Sequence, residues 1–348
     1  MRHKCRITMV RDIYVAPRST IWFVVKMGFM KSTRLSKASS RSIWLAMLSI
    51  YFLWGSTYLA IRIAVETIPP FLMAGTRFLI AGSILYTFRR LAGDPAPTRH
   101  QWRSAAIIGL FLLIGGNGGI SWAETRVASG IAALLVGTVP LWMVLIDAVR
   151  PQQRQTHNRL HWTTVLGVAI GFAGIAVLVS PSGLTGLGGE IDLVGALGVG
   201  LGALLWAVGS LYSRSADLPA SPLLGSSMEM LCGGVGLIAV GTLTGEWGRL
   251  NLPGITWQSL AGIGYLVVFG SLIGFASYTW LLRNAPTTLV STYAYVNPMV
   301  AIILGNLLAQ EPFTGRILIA AAVIIGAVVI ITLTQPAKEK QLPAPALE

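Results

Sequence analysis

VASGIAALLVGTVPLWMVLI, residues 127–146, runs for twenty positions without one Asp, Glu, Lys or Arg. A helix needs about 20 predominantly apolar residues to cross the hydrocarbon core of a bilayer, so this stretch reads as a membrane span. Uncharged runs of the same kind cover 104–123, 160–189, 193–213, 250–282, 284–310 and 317–334, some with flanking loop included. Two further spans hold one charge each, Arg77 within 71–88 and Glu229 within 222–244, and 43–65 carries Arg62 near its end. The expectation is an all-α, polytopic membrane protein. Its ten helices lie near 43–65, 71–88, 104–123, 128–147, 162–180, 193–213, 222–244, 257–282, 288–309 and 316–334.

The composition agrees. Of 348 residues, 54% are hydrophobic and 11% charged, with mean hydropathy +0.68. A soluble domain carries about 25% charged residues, so a soluble enzyme, a disordered chain and a coiled coil are excluded. The net charge of +13 would suggest nucleic acid on a soluble protein, but its distribution says otherwise. Residues 1–42 hold ten of the 26 Lys and Arg and one of the 13 acids, Asp12, which leaves the body with a net charge of only +4. The excess is a basic arm without packed structure, read either as a surface anchor for anionic lipid or as a stretch preceding a start at Met27 or Met30. No nucleic-acid partner follows.

Basic residues also orient the spans, because they gather on the cytoplasmic side. The arm, 89–103, 148–161, 214–221, 283–287 and 335–348 together hold 21 Lys and Arg, whereas 66–70, 124–127, 181–192, 245–256 and 310–316 hold three. Both termini are therefore expected in the cytoplasm of a multi-pass plasma (inner) membrane protein. Cys5 and Cys232 are too few for a disulfide framework or a zinc site, and His157 and His161, one turn apart, lack a third ligand. No cofactor or metal is called for.

The uncharged run has a twin. GTVPLWMVLI at 137–146 aligns with YVNPMVAIIL at 295–304, an offset of 158 that sets Pro140 on Pro298. At 152 residues, Trp54 meets Trp206, Arg62 meets Arg214, Pro70 meets Pro222, Arg77 meets Glu229 and Gly82 meets Gly234. At 155, Trp102 meets Trp257 and Gly109 meets Gly264. An ordered series of this kind divides the body into two five-helix halves, 43–180 and 193–334, between the arm at 1–42 and a cytoplasmic tail at 335–348. Five is odd, so the second half enters the membrane from the opposite face. Inverted repeats of this kind characterise secondary transporters, with the site near the midplane between halves.

The string YFLWGSTYLAIRIAVETIPPFLMAGTRFLIAGSILY at 51–86 resembles the first hairpin of EamA-domain permeases in the drug/metabolite transporter superfamily. WAETRVASGIAALLVGTVPLW at 122–142, GFAGIAVLV at 171–179 and STYAYVNPMVAIILG at 291–305 extend the likeness over most of the body, and a bacterial inner-membrane permease subgroup is the most similar. The resemblance implies ten helices, a central cavity and export of small metabolites, within a range that runs from amino acids to nucleosides and drugs. It names no single substrate.

Candidate substrate-binding residues are Trp54, Ser56, Thr57 and Tyr58 in the first helix, Asn117 in the third, Trp206 in the sixth, and Tyr293, Tyr295 and Asn297 in the ninth. Polar side chains cannot face lipid cheaply, so they line a cavity or join helices, and aromatic rings suit a moderately apolar or cationic solute. Pro140 and Pro298 are the candidate helix breaks. Gly167 and Gly171, Gly198 and Gly202, and Gly270 and Gly274 stand four apart, as close helix packing requires. Arg77 and Glu229 each lie seven residues past a helix-opening proline, so about 10 Å deep. They read as a structural pair or hydrogen-bonded charges, as a proton or substrate role for Glu229, or as snorkelling side chains. Arg62 reads as an anchor or a partner of Glu66, and Glu124 as a gate or a helix-end carboxylate. The partners are thus a small-molecule substrate, the bilayer and, through Glu229, a proton. The oligomeric state is not legible. Multidrug or cationic-compound efflux is the alternative within the class. An intramembrane enzyme would need acids, His or metal ligands gathered at one depth, and a channel would need a polar lining.

Overall fold

A computed structural model describes residues 39–149, 162–180, 191–285, 287–290 and 292–334. Cys5, His157, His161, most of the arm and the tail lie outside the described residues. Within them there are helices and turns and no strand. Nine helices are long and apolar enough to cross a membrane: α1 (Ser40–Ala64), α2 (Pro70–Leu91), α3 (Arg99–Ala123), α4 (Ser129–Asp147), α5 (Trp162–Val179), α6 (Leu193–Ser213), α7 (Pro222–Leu243), α8 (Trp257–Leu281) and α10 (Gly315–Thr332). Between the last two stands a shorter apolar helix, α9 (Tyr293–Ala309), preceded by the turn of helix Thr287–Val290.

Helix starts follow the local chemistry. Proline opens α2 and α7, where its missing N–H costs nothing. Thr98 and Gln101 form a reciprocal capping box at the start of α3, and the Thr256 hydroxyl accepts from Ser259 N at that of α8. Packing pairs α2 with α7, α5 with α10, α3 with α6, and α1 with both α8 and α9. Large apolar side chains point outward, among them Leu48, Phe52, Leu197, Leu201, Leu307 and Leu308. That rim is what a lipid-facing bundle requires, since lipid offers no hydrogen bonds and helices satisfy their own.

Two helices are not uniform. Residues Leu110–Gly118 of α3 and Leu266–Ile273 of α8 form wide π turns, a geometry often found at functional segments. Helix α4 is interrupted at Gly137 and Thr138, so that Pro140 occupies the second position of a new segment, Val139–Val149. Pro298 differs: it sits inside α9, which continues from Tyr293 to Ala309. A proline early in a helix is tolerated because the first turn's N–H groups have no intrahelical partner.

Candidate functional site: aromatic and charged groups between the helices

Trp54 is the hub of the first cluster. Its ring centroid lies 5.1 Å from Tyr278, 5.2 Å from Tyr293 and 5.7 Å from Phe275, and Tyr278 and Tyr293 stand 5.8 Å apart. Edge-on and tilted contacts of this kind suit the ring quadrupoles. Trp54 Nε1 donates to the Gly270 carbonyl over 3.1 Å, inside the π turn of α8. A Cβ at Gly274 would lie 2.3 Å from that nitrogen, so only glycine lets the indole reach its acceptor. The neighbouring polar residues of α1 are satisfied locally. Thr57 Oγ1 donates to the Trp54 carbonyl at 2.6 Å, and Ser56 Oγ lies 2.6 Å from the Tyr265 hydroxyl and 3.0 Å from the Leu53 carbonyl.

Trp206 packs on the other π turn. A Cβ at Gly116 would lie 2.7 Å from its ring. Asn117 is half-buried in the same turn. Asn297 is buried and, with its amide turned to suit its neighbours, donates to the carbonyls of Tyr51 at 3.1 Å and Tyr293 at 3.2 Å, tying α9 to α1. Tyr295 goes elsewhere, against Leu141, Val168 and Ile331 with Phe172. Tyr58 packs with Ile131 and Leu134. The structure therefore brings Trp54 and Tyr293 together and leaves Tyr295 apart.

Charged groups form a second cluster, at the bundle end that carries 65–69. Arg77 is buried at 5% exposure, and its Nε donates to Ser271 Oγ at 3.1 Å, again in the π turn of α8. Its carboxylate neighbour is Glu124, not Glu229. Glu229 is half-buried on α7, where α3 comes so close that a Cβ at Gly109 would lie 2.9 Å from the Glu229 carbonyl. No hydrogen bond or ion pair joins it to Arg77 among the described residues. Arg62 Nη1 donates to the Glu124 backbone carbonyl, and Glu66 is exposed. Glu124 follows the last residue of α3 and is 0% exposed. Burial and the adjacent Glu311 hold its carboxyl well above the ordinary carboxylate range, against the pull of Arg62 and Arg77.

Two acids at this end close helix starts. Glu311 accepts from Ser129 N at 2.8 Å, Ser129 Oγ at 2.9 Å and Gly130 N at 3.1 Å. Glu246 accepts from Phe71 N at 3.2 Å and Leu72 N at 2.9 Å. A carboxylate on the unpaired N–H groups of a helix start satisfies both hydrogen bonding and the helix dipole. Sequence reading passed over Tyr278, Phe275, Ser271, Glu246 and Glu311. The available signal was the Gly270–Gly274 pair, whose small residues admit Trp54 as well as pack helices.

A cavity of about 380 Å³ opens away from both clusters, among Leu135, Trp142, Phe172, Ile175, Leu197 and Leu201. Its lining is apolar.

Apolar spans around an interior of aromatic, hydroxyl and charged groups define a multi-pass helical membrane protein. The chain belongs to the EamA-like transporter family, whose sequence profile matches residues 41–180 and again 193–333. It is a transporter and not an enzyme. It is 40% identical over 290 residues, 83% of this chain and 90% of the relative, to the Escherichia coli K12 protein called "Uncharacterized inner membrane transporter YedA". Protein PecM of Dickeya dadantii is 28% identical over 286 residues, 80% of this chain and 88% of the relative. A solved crystal structure that is 22% identical shares the fold, with a TM-score of 0.56 over 85% of this chain and 98% of the other.

Proposed function

We propose that this protein is a secondary transporter of the inner membrane that exports small organic metabolites, amino acids or related solutes, by proton-coupled alternating access. Ten spans form two five-helix repeats of opposite topology, 43–180 and 193–334. The 65–69 end faces outward, and both termini, including the arm at 1–42 and the tail at 335–348, are cytoplasmic. The substrate site lies between the repeats, where Trp54, Ser56, Thr57, Asn117, Trp206 and Tyr293 contribute to it.

One observation carries this reading. Trp54 of the first stretch sits on the π turn of α8, while Trp206 of the second sits on the π turn of α3. Each half thus seats its tryptophan in the other half's widened helix. Two such seats of similar make would allow the halves to exchange conformations at little free-energy cost, the condition for alternating access. Export of cationic compounds is the second reading, favoured by the rings of Trp54, Tyr278 and Tyr293, which can hold an organic cation by cation–π attraction.

Purified protein reconstituted in liposomes, tested with labelled amino acids, nucleosides and cationic dyes with and without a pH gradient, is expected to accumulate a metabolite in a saturable, gradient-dependent way. Selective accumulation of dyes would favour the second reading. Oriented protein that moves none of the panel would count against both.

A further inference from the structure

Among the described residues the exposed Glu66 and Asp217 face solvent, and of the remaining acids all but two find partners. Glu246 and Glu311 each receive backbone N–H groups, and Asp94, Asp147 and Asp192 each face an arginine. Glu229 has no charged neighbour and is half-buried. Glu124 is the other exception, and it is the more constrained. It is 0% exposed and neither carboxylate oxygen has a hydrogen-bond partner. An ionised carboxylate that is desolvated and unbonded is costly enough for such a group to neutralise.

Its surroundings are mixed. Tyr58 and Arg62 face it from α1, Arg77 from α2, and Glu311 from the connection before α10. Glu311 already spends its charge on the start of α4, so of these two acids Glu124 is the one left to take up a proton. The guanidinium groups favour the ionised form, while burial and Glu311 favour the neutral one. Opposed influences of this kind suit a carboxyl that must both bind and release.

We propose that Glu124 is the proton-binding carboxyl of this transporter, with Arg77 as its counter-ion when ionised. The step is a simple protonation: a proton from water bonds to a Glu124 carboxylate oxygen, and nothing is oxidised or reduced. With Glu124 neutral, Arg77 keeps its hydrogen bond to Ser271 and so ties α2 to the π turn of α8. With Glu124 ionised, its attraction for Arg77 competes with that bond. Proton occupancy at the end of α3 thereby sets the strength of a link between the two matched stretches. The use of the site rests on the coupled-transport reading above, but its detection does not.

The test is an infrared titration of the carboxylic-acid C=O band in the purified full chain, from about pH 4 to pH 9. In a Glu229→Gln background, where the other unpaired acid cannot contribute, the band of a buried, unbonded acid is expected, and adding Glu124→Gln is expected to remove it. Should that double variant fail to fold, Ser271→Ala in the same background serves instead. It frees Arg77 to pair with the carboxylate and lowers the midpoint by about one pH unit. Persistence of the band in the double variant, its absence from Glu229→Gln alone, or an unmoved midpoint with Ser271→Ala each overturns the proposal. Because the titration needs no substrate, a silent flux screen with a band lost only on adding Glu124→Gln would remove the transport reading and keep the site.

Discussion

Asp94 and Glu246 stand 152 residues apart and do the same work at opposite ends of the bundle, whereas Arg77 and Glu229, at the same separation, do not. Asp94 follows α2 and lies near the side chain of Ser221, the residue before α7. Glu246 follows α7 and accepts from the first turn of α2. Trp54 and Trp206 match in the same way, each against a π turn. Arg77, by contrast, is buried and bonded to Ser271, while Glu229 is half-buried with no such partner. The lesson is that positions repeated between the two stretches build the scaffold. Arg77 is a buried charge with no like counterpart, and Glu124 stands near it.

That contrast can be tested from its strongest member downward. Glu311→Ala removes the acceptor of three hydrogen bonds at the start of α4. Stranding those donors is expected to cost about 3 kcal/mol, read by unfolding in detergent micelles, and a loss within error would mean the helix start is satisfied otherwise. Glu246→Ala strands two donors and is expected to cost about 2 kcal/mol in the same assay. Asp94→Ala should cost less than that, since Asp94 also answers to Arg89 at the bundle surface. Equal losses would make the two caps truly equivalent.

A finer test compares the tryptophans. Trp54→Phe keeps the ring contacts but deletes the hydrogen bond to Gly270, at about 1 kcal/mol. Trp206→Phe is expected to cost less, because packing is its only described role. The reverse order would break the assignment of Trp54 as hub. The smallest effect concerns acid. Burial alone would raise the Asp94 carboxyl, yet hydrogen bonding from Arg89, the nearby Ser221 side chain and the charges of Arg89 and Arg90 outweigh it and hold it below its ordinary value. Its contribution is therefore complete above the usual carboxylate range, near pH 4, and disappears as pH falls through the lower folded value. Asp94→Asn should flatten that part of the stability curve, with a small loss at neutral pH and none below the folded value.

The spans were legible in the chain because each lipid-facing residue must be apolar on its own account, whatever its neighbours. Trp54, Tyr293 and Arg77 were legible as interior groups for the same reason. Their partners were not. Arg77 reads most simply as a match for Glu229, the opposite charge at the aligned position, but a helix presents a face as well as a depth. The face of α2 that carries Arg77 meets α8 and Glu124. Tyr295 shows the same limit: two residues beyond Tyr293, it points about 200° around α9 and joins another cluster.

The sequence alone thus determined a polytopic helical protein of low charge with related halves, since exclusion of polarity from lipid is recorded residue by residue. Only the tertiary structure decided which buried acids are satisfied. Glu246 and Glu311 find backbone donors more than 170 residues away, and Glu124 finds none among the described residues. Hydrogen-bond satisfaction is a property of juxtaposed surfaces, and no local pattern encodes it.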